Sequence, residues 1–299
     1  MSIFLLLEQL MNGFQLGVML FLMSAGLTLT FGIMNFINLT HGSFYMLGAF
    51  LAATFSLWIG NFFIAVPLAV IATLAIGILM DLIAFRRLYE RSHLDQVLGT
   101  FGLLLFFNDL VILIWGAEPQ FMAMPKILSG SVALGPDNDY PLYRLTITAM
   151  GLLTALFLYL LISRTRTGML IRAGASNREM VGGLGVNVKT LFSVVFGLGA
   201  AMAGFAGMMT APLIAVQTGM GDEMLIVGFV IIVIGSIGSV RGAFMASILV
   251  GLVDTMGRFL LPKWLGFTVG PAVASMAIYV LMALVLMARP HGGQPAGKH

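Results

Sequence analysis

The chain has 299 residues, of which 60% are hydrophobic and only 9% are charged. Soluble globular chains carry about 25% charged residues, so this composition excludes a soluble protein and makes the lipid bilayer the first partner. The net charge of +3 lies at dispersed loop positions, which excludes a nucleic-acid partner, and the absence of cysteine excludes disulfides, thiol catalysis and cysteine metal sites.

A helix needs about 20 apolar residues to cross the hydrocarbon core. Nine runs qualify: 10–33, 43–60, 62–84, 97–115, 144–163, 191–215, 223–238, 243–261 and 268–287. The expected fold class is all-α, one polytopic transmembrane helical bundle of about 8–10 segments over residues 1–299. Glycines interrupt the first two runs and the 223–261 pair, where broken or re-entrant helices are expected. Met1 to Leu10 contains no Lys or Arg and so lacks the start of a signal peptide; the first run is expected to remain as a span. Trp58, Phe62 and Phe63 make the 58–63 turn aromatic, as at a membrane interface.

The positive-inside rule orients the bundle. With 85–96 and 164–190 placed in the cytoplasm, the inside basic residues are Arg86, Arg87, Arg91, Arg164, Arg166, Arg172, Arg178, Lys189, Arg241, Arg289 and Lys298, eleven in all. Lys126, Arg144, Arg258 and Lys263, four in all, fall outside. The N-terminus is then periplasmic and the C-terminus cytoplasmic. Residues 116–143 form the largest periplasmic segment, and their prolines and glycines predict irregular structure. Gly42-Ser43-Phe44 and Gly242-Ala243-Phe244 each open an apolar helix after a turn, a weak sign of an internal repeat.

Between the first two runs, Asn35, Asn38, Thr40 and His41 precede Gly42. One reading is a broken segment that lines or gates a pathway; the other is a cytoplasmic turn in water. The stretch Gly235, Ser236, Gly238, Ser239, Arg241, Gly242 offers backbone groups to a cavity. It is no phosphate-binding loop, since the Gly-Lys-Ser/Thr ending occurs nowhere in the chain, so any ATP hydrolysis belongs to another subunit. Gly197, Gly199, Ala200, Ala203, Gly204 and Gly207 permit close helix packing.

Four ionisable residues fall within spans: Asp81, Asp109, Asp254 and Arg258. Asp81 and Arg258 lie near opposite ends and are expected to snorkel. Asp109 is near mid-span, a proton site or a group satisfied by Asn108. No Asp/Glu/His series runs along one helix, which disfavours a stand-alone secondary carrier. His41, His93, His291 and His299 have no ligand spacing, and no nucleophile–base pair occurs, so neither an enzyme, a metal nor a cofactor is expected.

Arg164 to Thr190 is the most polar stretch. Glu179 is its only acid, and Arg172 to Val181 reads as one short helix stopped by Gly182, Gly183 and Gly185. It is either a helix that docks a soluble partner or a basic loop that only sets topology.

Leu27 to Ala53, with Asn35-Phe36-Ile37-Asn38-Leu39-Thr40-His41-Gly42, resembles the opening motif of LivH-type permeases, membrane subunits of bacterial branched-chain amino acid ABC importers. Arg172-Ala173-Gly174-Ala175, Asn177, Arg178, Glu179 and Leu184-Gly185-Val186 resemble that family's cytoplasmic loop, and Gly235 to Ala243 its glycine-rich turn. The likeness covers nearly the whole chain in order. It implies a permease subunit that translocates branched-chain or other hydrophobic amino acids, and a related permease for urea or short amides is the alternative. The implied partners are a second, LivM-like permease, two ATP-binding subunits like LivG and LivF, and a periplasmic substrate-binding protein. The density of polar and glycine residues between apolar helices places the expected substrate pathway at Asn35, Asn38, Thr40, His41, Gly42, Gly235, Gly238 and Ser239. The likeness raises the central stretch to a coupling helix. It assigns ATPase coupling to Arg172, Ala175, Asn177, Arg178, Glu179 and Gly185. Three places depart from the pattern: Ser43 stands where the family usually has an acid, Ser236 where it commonly has Gly, and Arg289 to Gly293 follow the usual ending only in part.

Overall fold

The computed structural model describes residues 3–135 and 138–288, without the side chains of Ile33, Leu134, Asn138, Arg178 and Glu179. The tail from Arg289 onward lies outside the described residues. In chain order the elements are α1 (Ile3–Met34), α2 (His41–Ile59) and α3 (Phe62–Met80). A π-helical turn (Asp81–Phe85) carries α3 into α4 (Arg86–Leu88), and α5 (His93–Trp115) follows. A hairpin of β1 (Ser131–Gly135) and β2 (Asn138–Pro141) leads to α6 (Leu142–Arg164). Then come α7 (Arg166–Ser176), α8 (Arg178–Gly183), α9 (Val188–Thr210), α10 (Met220–Gly235) and α11 (Val240–Ala288).

Among the described residues, seven helices are long and apolar enough to cross a membrane. The nine expected crossings are revised in one place. Residues 223–238 fall in α10, whose 16 residues extend about 24 Å at 1.5 Å each, short of a core of about 30 Å. Residues 243–261 and 268–287 are two arms of α11, a 49-residue stretch that Gly266 breaks with φ 82° and ψ 162° between Pro262 and Pro271. Residue 266 needs that positive φ, which glycine adopts without strain.

The 116–143 segment is more ordered than its composition predicts. Val132 pairs with Tyr140 and Ala133 with Asp139 across an antiparallel ladder, and Gln120 forms an isolated bridge with Val216. The central polar stretch is also revised: it forms two helices rather than one. Asn177 separates them, ending α7 and capping α8 by accepting a hydrogen bond from the Met180 N–H at 2.9 Å. An Asn side chain competes with the helical backbone in this way, so it divides what apolar spacing alone would join.

Helices in lipid gain little from the hydrophobic effect and associate through close backbone approach. α9 occupies the centre, with most of its residues buried. Its small residues meet the backbones and side chains of three neighbours. Gly199 faces Gly26 of α1, Gly204 faces Gly48 of α2, and Ala200 faces Gly77 of α3. α1 lies alongside α11 through Gly17 against Ser247 and Ile248, and meets the turn before α11 through Gly32 against Gly238. The small-residue run read in α9 is therefore a packing surface.

A Cβ on Gly48 would stand 2.4 Å from the Gly204 Cα and carbonyl oxygen, atoms that cannot rotate away. Gly48→Val is expected to destabilise the bundle by about 1–3 kcal/mol or more, the range of overpacked cores. Thermal melting of the detergent-solubilised chain checks this, with Gly130→Ala, where a Cβ meets nothing within 4 Å, as the unchanged control.

Candidate functional site

A cavity of about 660 Å³ opens among α1, α2, α6, the segment after α9, α10 and α11, at the end of the bundle that carries the hairpin. Its polar wall comes from Gln9, Asn12, Gln15, Arg144, Asp254 and Arg258. Its apolar lining includes Leu16, Met19, Met23, Leu213, Met224 and Phe259. The spacing of the α1 residues shows why one helix supplies both kinds. Asn12, Leu16, Met19 and Met23 recur at three and four residues and share a face.

The polar groups are held in place by one another. Asp254 and Arg258, one turn apart on α11, form an ion pair at 2.9 Å. Arg144 donates to Asn12 Oδ1 at 2.6 Å, and the Tyr140 hydroxyl donates to the same oxygen at 3.1 Å. Deeper in, Tyr45 and Thr210 share a hydroxyl–hydroxyl hydrogen bond of 2.7 Å. Burial pushes the Tyr140 phenol above its ordinary pKa, so it stays a donor. The arrangement offers two guanidinium groups, one carboxylate and an apolar floor. It offers no nucleophile with a base. Apart from Asp254 and Arg258, these polar residues carried no distinguishing sequence signal. Gln9, Asn12 and Gln15 are polar positions on one face of the first span, which is the signal that could have marked them.

The residues predicted for the pathway lie elsewhere. None of Asn35, Asn38, Thr40, His41 and Gly42 lines this cavity. Residues 35–40 are a non-helical link between α1 and α2. Asn35 is exposed and takes the left-handed φ of 50° that Asn tolerates. Asn38, Thr40 and His41 are 1%, 0% and 1% exposed, so the link is enclosed by protein and is not a turn in water. α5 satisfies its backbone: Ile37 N–H donates to Gln96 Oε1 at 3.4 Å and Leu39 N–H to Thr100 Oγ1 at 3.1 Å. Thr40 Oγ1 donates to the Thr100 carbonyl at 2.9 Å. His41 Nε2 lies 3.1 Å from the carbonyl of Met23, whose side chain is on the cavity wall. Asn38 Nδ2 and Ser43 Oγ are buried without a hydrogen-bond partner among the described residues.

Gly238 and Ser239 line a second cavity, of about 390 Å³, at the opposite end, together with Tyr159, Ser163, Arg172 and Arg241. The structure thus brings the glycine-rich turn and the central polar stretch together at one place. Gly235 is not on that wall; it packs against Gly242. Arg172 donates to the Ile162 carbonyl, and Arg241 donates to the Tyr159 hydroxyl at 3.1 Å while stacking over its ring. Ala175 and Asn177 are exposed, and Gly185 has φ 82°. The side chains of Arg178 and Glu179 lie outside the described residues.

Two readings of ionisable residues are corrected. Asp81 does not snorkel. It is fully buried in the π-helical turn, accepting hydrogen bonds from Ser193 at 2.5 Å, from Arg86 at 3.3 Å and from the Tyr89 hydroxyl. The π turn and α4 bring Arg86 and Tyr89 back beside it, so its charge is paired without reaching water. Burial, and then Asp81, push the Tyr89 phenol pKa upward. Asn108 does not satisfy Asp109; it donates to Asp222 of α10 at 3.1 Å.

Comparisons with known proteins identify a family. Residues 9–287 match the family described as branched-chain amino acid transport system / permease component. The chain belongs to this family. It is 29% identical to the high-affinity branched-chain amino acid transport permease protein BraD of Pseudomonas aeruginosa, over 97% of this chain and 96% of that protein. It is 27% identical to LivH of Escherichia coli K12, over 94% and 93%. A probable LivH of Methanocaldococcus jannaschii is 25% identical, over 92% and 88%. No solved structure matches. The chain is a multi-pass membrane permease component, a transport subunit rather than an enzyme, and such components work with ATP-binding and substrate-binding partners.

Ser236, in the glycine-rich turn, takes φ 74° with ψ 129°. Such a backbone costs a side-chain-bearing residue about 1–3 kcal/mol. Ser236→Gly is therefore expected to raise stability by about 1 kcal/mol after glycine's greater chain entropy is subtracted. Ser236→Val is expected to lower it. Melting temperatures of both variants beside the parent chain check the sign.

Proposed function

We propose that this chain carries branched-chain or other aliphatic amino acids across the inner membrane, driven by ATP hydrolysis in separate subunits. The supporting observation is the larger cavity, in which charges of both signs stand beside an apolar wall. A zwitterion with a hydrocarbon side chain needs that combination. Arg144 and Arg258 would receive the carboxylate, Asp254 the ammonium group, and Leu16, Met19, Met23 and Met224 the side chain. Urea or a short amide carries no net charges to match and no side chain for the apolar wall, so that alternative is less well served.

The hairpin end is taken as periplasmic and the end with α7 and α8 as cytoplasmic, because basic residues divide eleven to four. The cavity then faces the side from which a binding protein delivers substrate. The link Asn35 to Gly42, whose Asn38, Thr40 and His41 are buried, would act as the inner closure, since His41 connects it to the cavity wall at Met23. Gly235, Gly238 and Ser239 would lie at the exit. Arg172, Ala175, Asn177, Arg178, Glu179 and Gly185 would receive the ATP-binding subunits, and a LivM-like chain would complete the membrane pair. Transport is then alternating access, with the pair rocking about this closure.

Arg144→Leu is expected to raise the half-saturating leucine concentration for uptake about tenfold or more, equivalent to about 1.4 kcal/mol. Uptake into proteoliposomes containing all partner subunits, energised with ATP, measures this. Unchanged leucine affinity in both Arg144→Leu and Asp254→Asn would remove the cavity from the pathway.

Asn177→Ala removes the cap of α8 and is expected to cost that helix about 1 kcal/mol. Substrate-stimulated ATPase should fall while the chain still inserts. Parent-level stimulation at normal expression would show that α8 is only a solvated connection.

A further inference from the structure

α5 packs on its neighbours through Thr100, Leu104, Phe107 and Val111 and leaves its other side open. Leu98, Gly102, Leu105, Asp109 and Leu113 recur at three- and four-residue spacing on that open side. All five are exposed. A Cβ on Gly102 would meet nothing within 4 Å. Asp109 has no hydrogen-bond or ion-pair partner among the described residues, whereas its neighbour Asn108 is turned toward α10.

Depth makes this carboxyl group informative. Asp109 lies six residues before Trp115, about 9 Å along the helix. Half of a hydrocarbon core is about 15 Å, and half of this 23-residue helix is about 17 Å, so Asp109 sits well inside the core. Lipid tails offer it no donor, and its side chain is too short to reach the headgroups. Intramembrane carboxyl groups face protein or a watery cavity.

We infer that this face of α5 is the contact face for the second permease chain, whose facing helix brings a hydrogen-bond donor to Asp109. The inference rests on the reading of this chain as one of a pair of permeases. A second copy laying α5 on α5 would set two Asp109 carboxyl groups opposite each other at equal depth, because both copies share one orientation in the membrane. A chain of different sequence, with Ser, Thr, Asn, Gln, Arg or Lys at that level, removes the conflict. Gly102, two turns away on the same side, lets the partner helix approach closely.

Site-specific photocrosslinking tests this in membranes of cells that produce the complete transporter. A benzophenone amino acid replaces Phe106, beside Asp109, or Phe157 on α6; the two are 54% and 59% exposed. Position 106 is expected to yield a product that mass spectrometry identifies as a distinct, related permease chain, and position 157 is not. A product with this chain's own copy, or with lipid alone, at position 106 overturns the inference. Asp109→Leu is expected to lower the second permease recovered with the tagged chain about fivefold, the scale of one interhelical hydrogen bond, while Asp109→Asn retains most of it. Undiminished recovery with Asp109→Leu overturns it as well. If the parent chain recovers no second permease, the paired reading itself fails; recovery that is insensitive to α5 fails the face alone.

Discussion

Backbone-to-backbone contact at glycine is the constraint on which this bundle depends. Lipid tails are as apolar as the helix surfaces, so burial against another helix gains little over burial in the bilayer. What remains is dispersion and the removal of gaps, which favour surfaces without side chains. Gly48 on Gly204, Gly26 on Gly199, Gly32 on Gly238 and Gly42 on Gly221 are contacts of this kind. They draw α1, α2, α9, α10 and the turn before α11 together, while α3, α5 and α6 turn long apolar side chains such as Ile71, Leu113 and Phe157 outward.

Close packing at the centre explains where the chain can leave helical geometry. Non-helical backbone inside a membrane must find partners in protein. The 35–40 link finds them on α5, where Gln96 and Thr100 stand one turn apart and receive its N–H groups. The segment after α9 finds a different solution, a bridge in which Val216 and Gln120 exchange backbone hydrogen bonds of 2.8 Å each. The short length of α10 follows from this. Gly221, near its start, lies against Gly42, and its last residue Gly235 lies against Gly242, so it runs between the starts of α2 and α11. The two stretches that resemble each other in sequence, from Gly42 and from Gly242, thus each pack a glycine on one end of the same helix.

The helical class and most spans were legible because about 20 apolar residues in a row leave few other choices. The family was legible in Asn35 to Gly42 and in Gly235 to Ala243. The fate of the charged residues was not. Depth along a span is all that separates Asp81, Asp109 and Asp254 in a linear chain. In the fold Asp81 is enclosed by Arg86, Tyr89 and Ser193, residues 5 to 112 positions away; Asp254 faces a cavity; Asp109 faces outward. Helical phase and the π-helical turn make those differences, and neither is set by hydropathy. The division at Asn177 was missed for a related reason: one amide side chain that caps a helix outweighs the periodicity on either side of it.

The same glycine contacts bear on how the two ends of the molecule communicate. α1 supplies Asn12, Gln15, Met19 and Met23 to the larger cavity and, about 14 Å beyond Met23 at 1.5 Å per residue, sets Gly32 against Gly238 beside the smaller one. α10 supplies Met224 to the larger cavity and closes on Gly242 at its other end. Between glycines no flexible side chain is available to absorb a displacement, so these helices transmit shifts as rigid bodies or slide along the contact. Interfaces of that kind have discrete alternative packings rather than a continuum. On the proposed function, a substrate that changed the Asp254–Arg258 pair at one end would act on elements whose other ends frame the smaller cavity at Gly238 and Ser239. On the proposed function, the route from cavity to polar loop would run through α1, α10 and α11, with the link at His41 tied to α1 by the Met23 carbonyl.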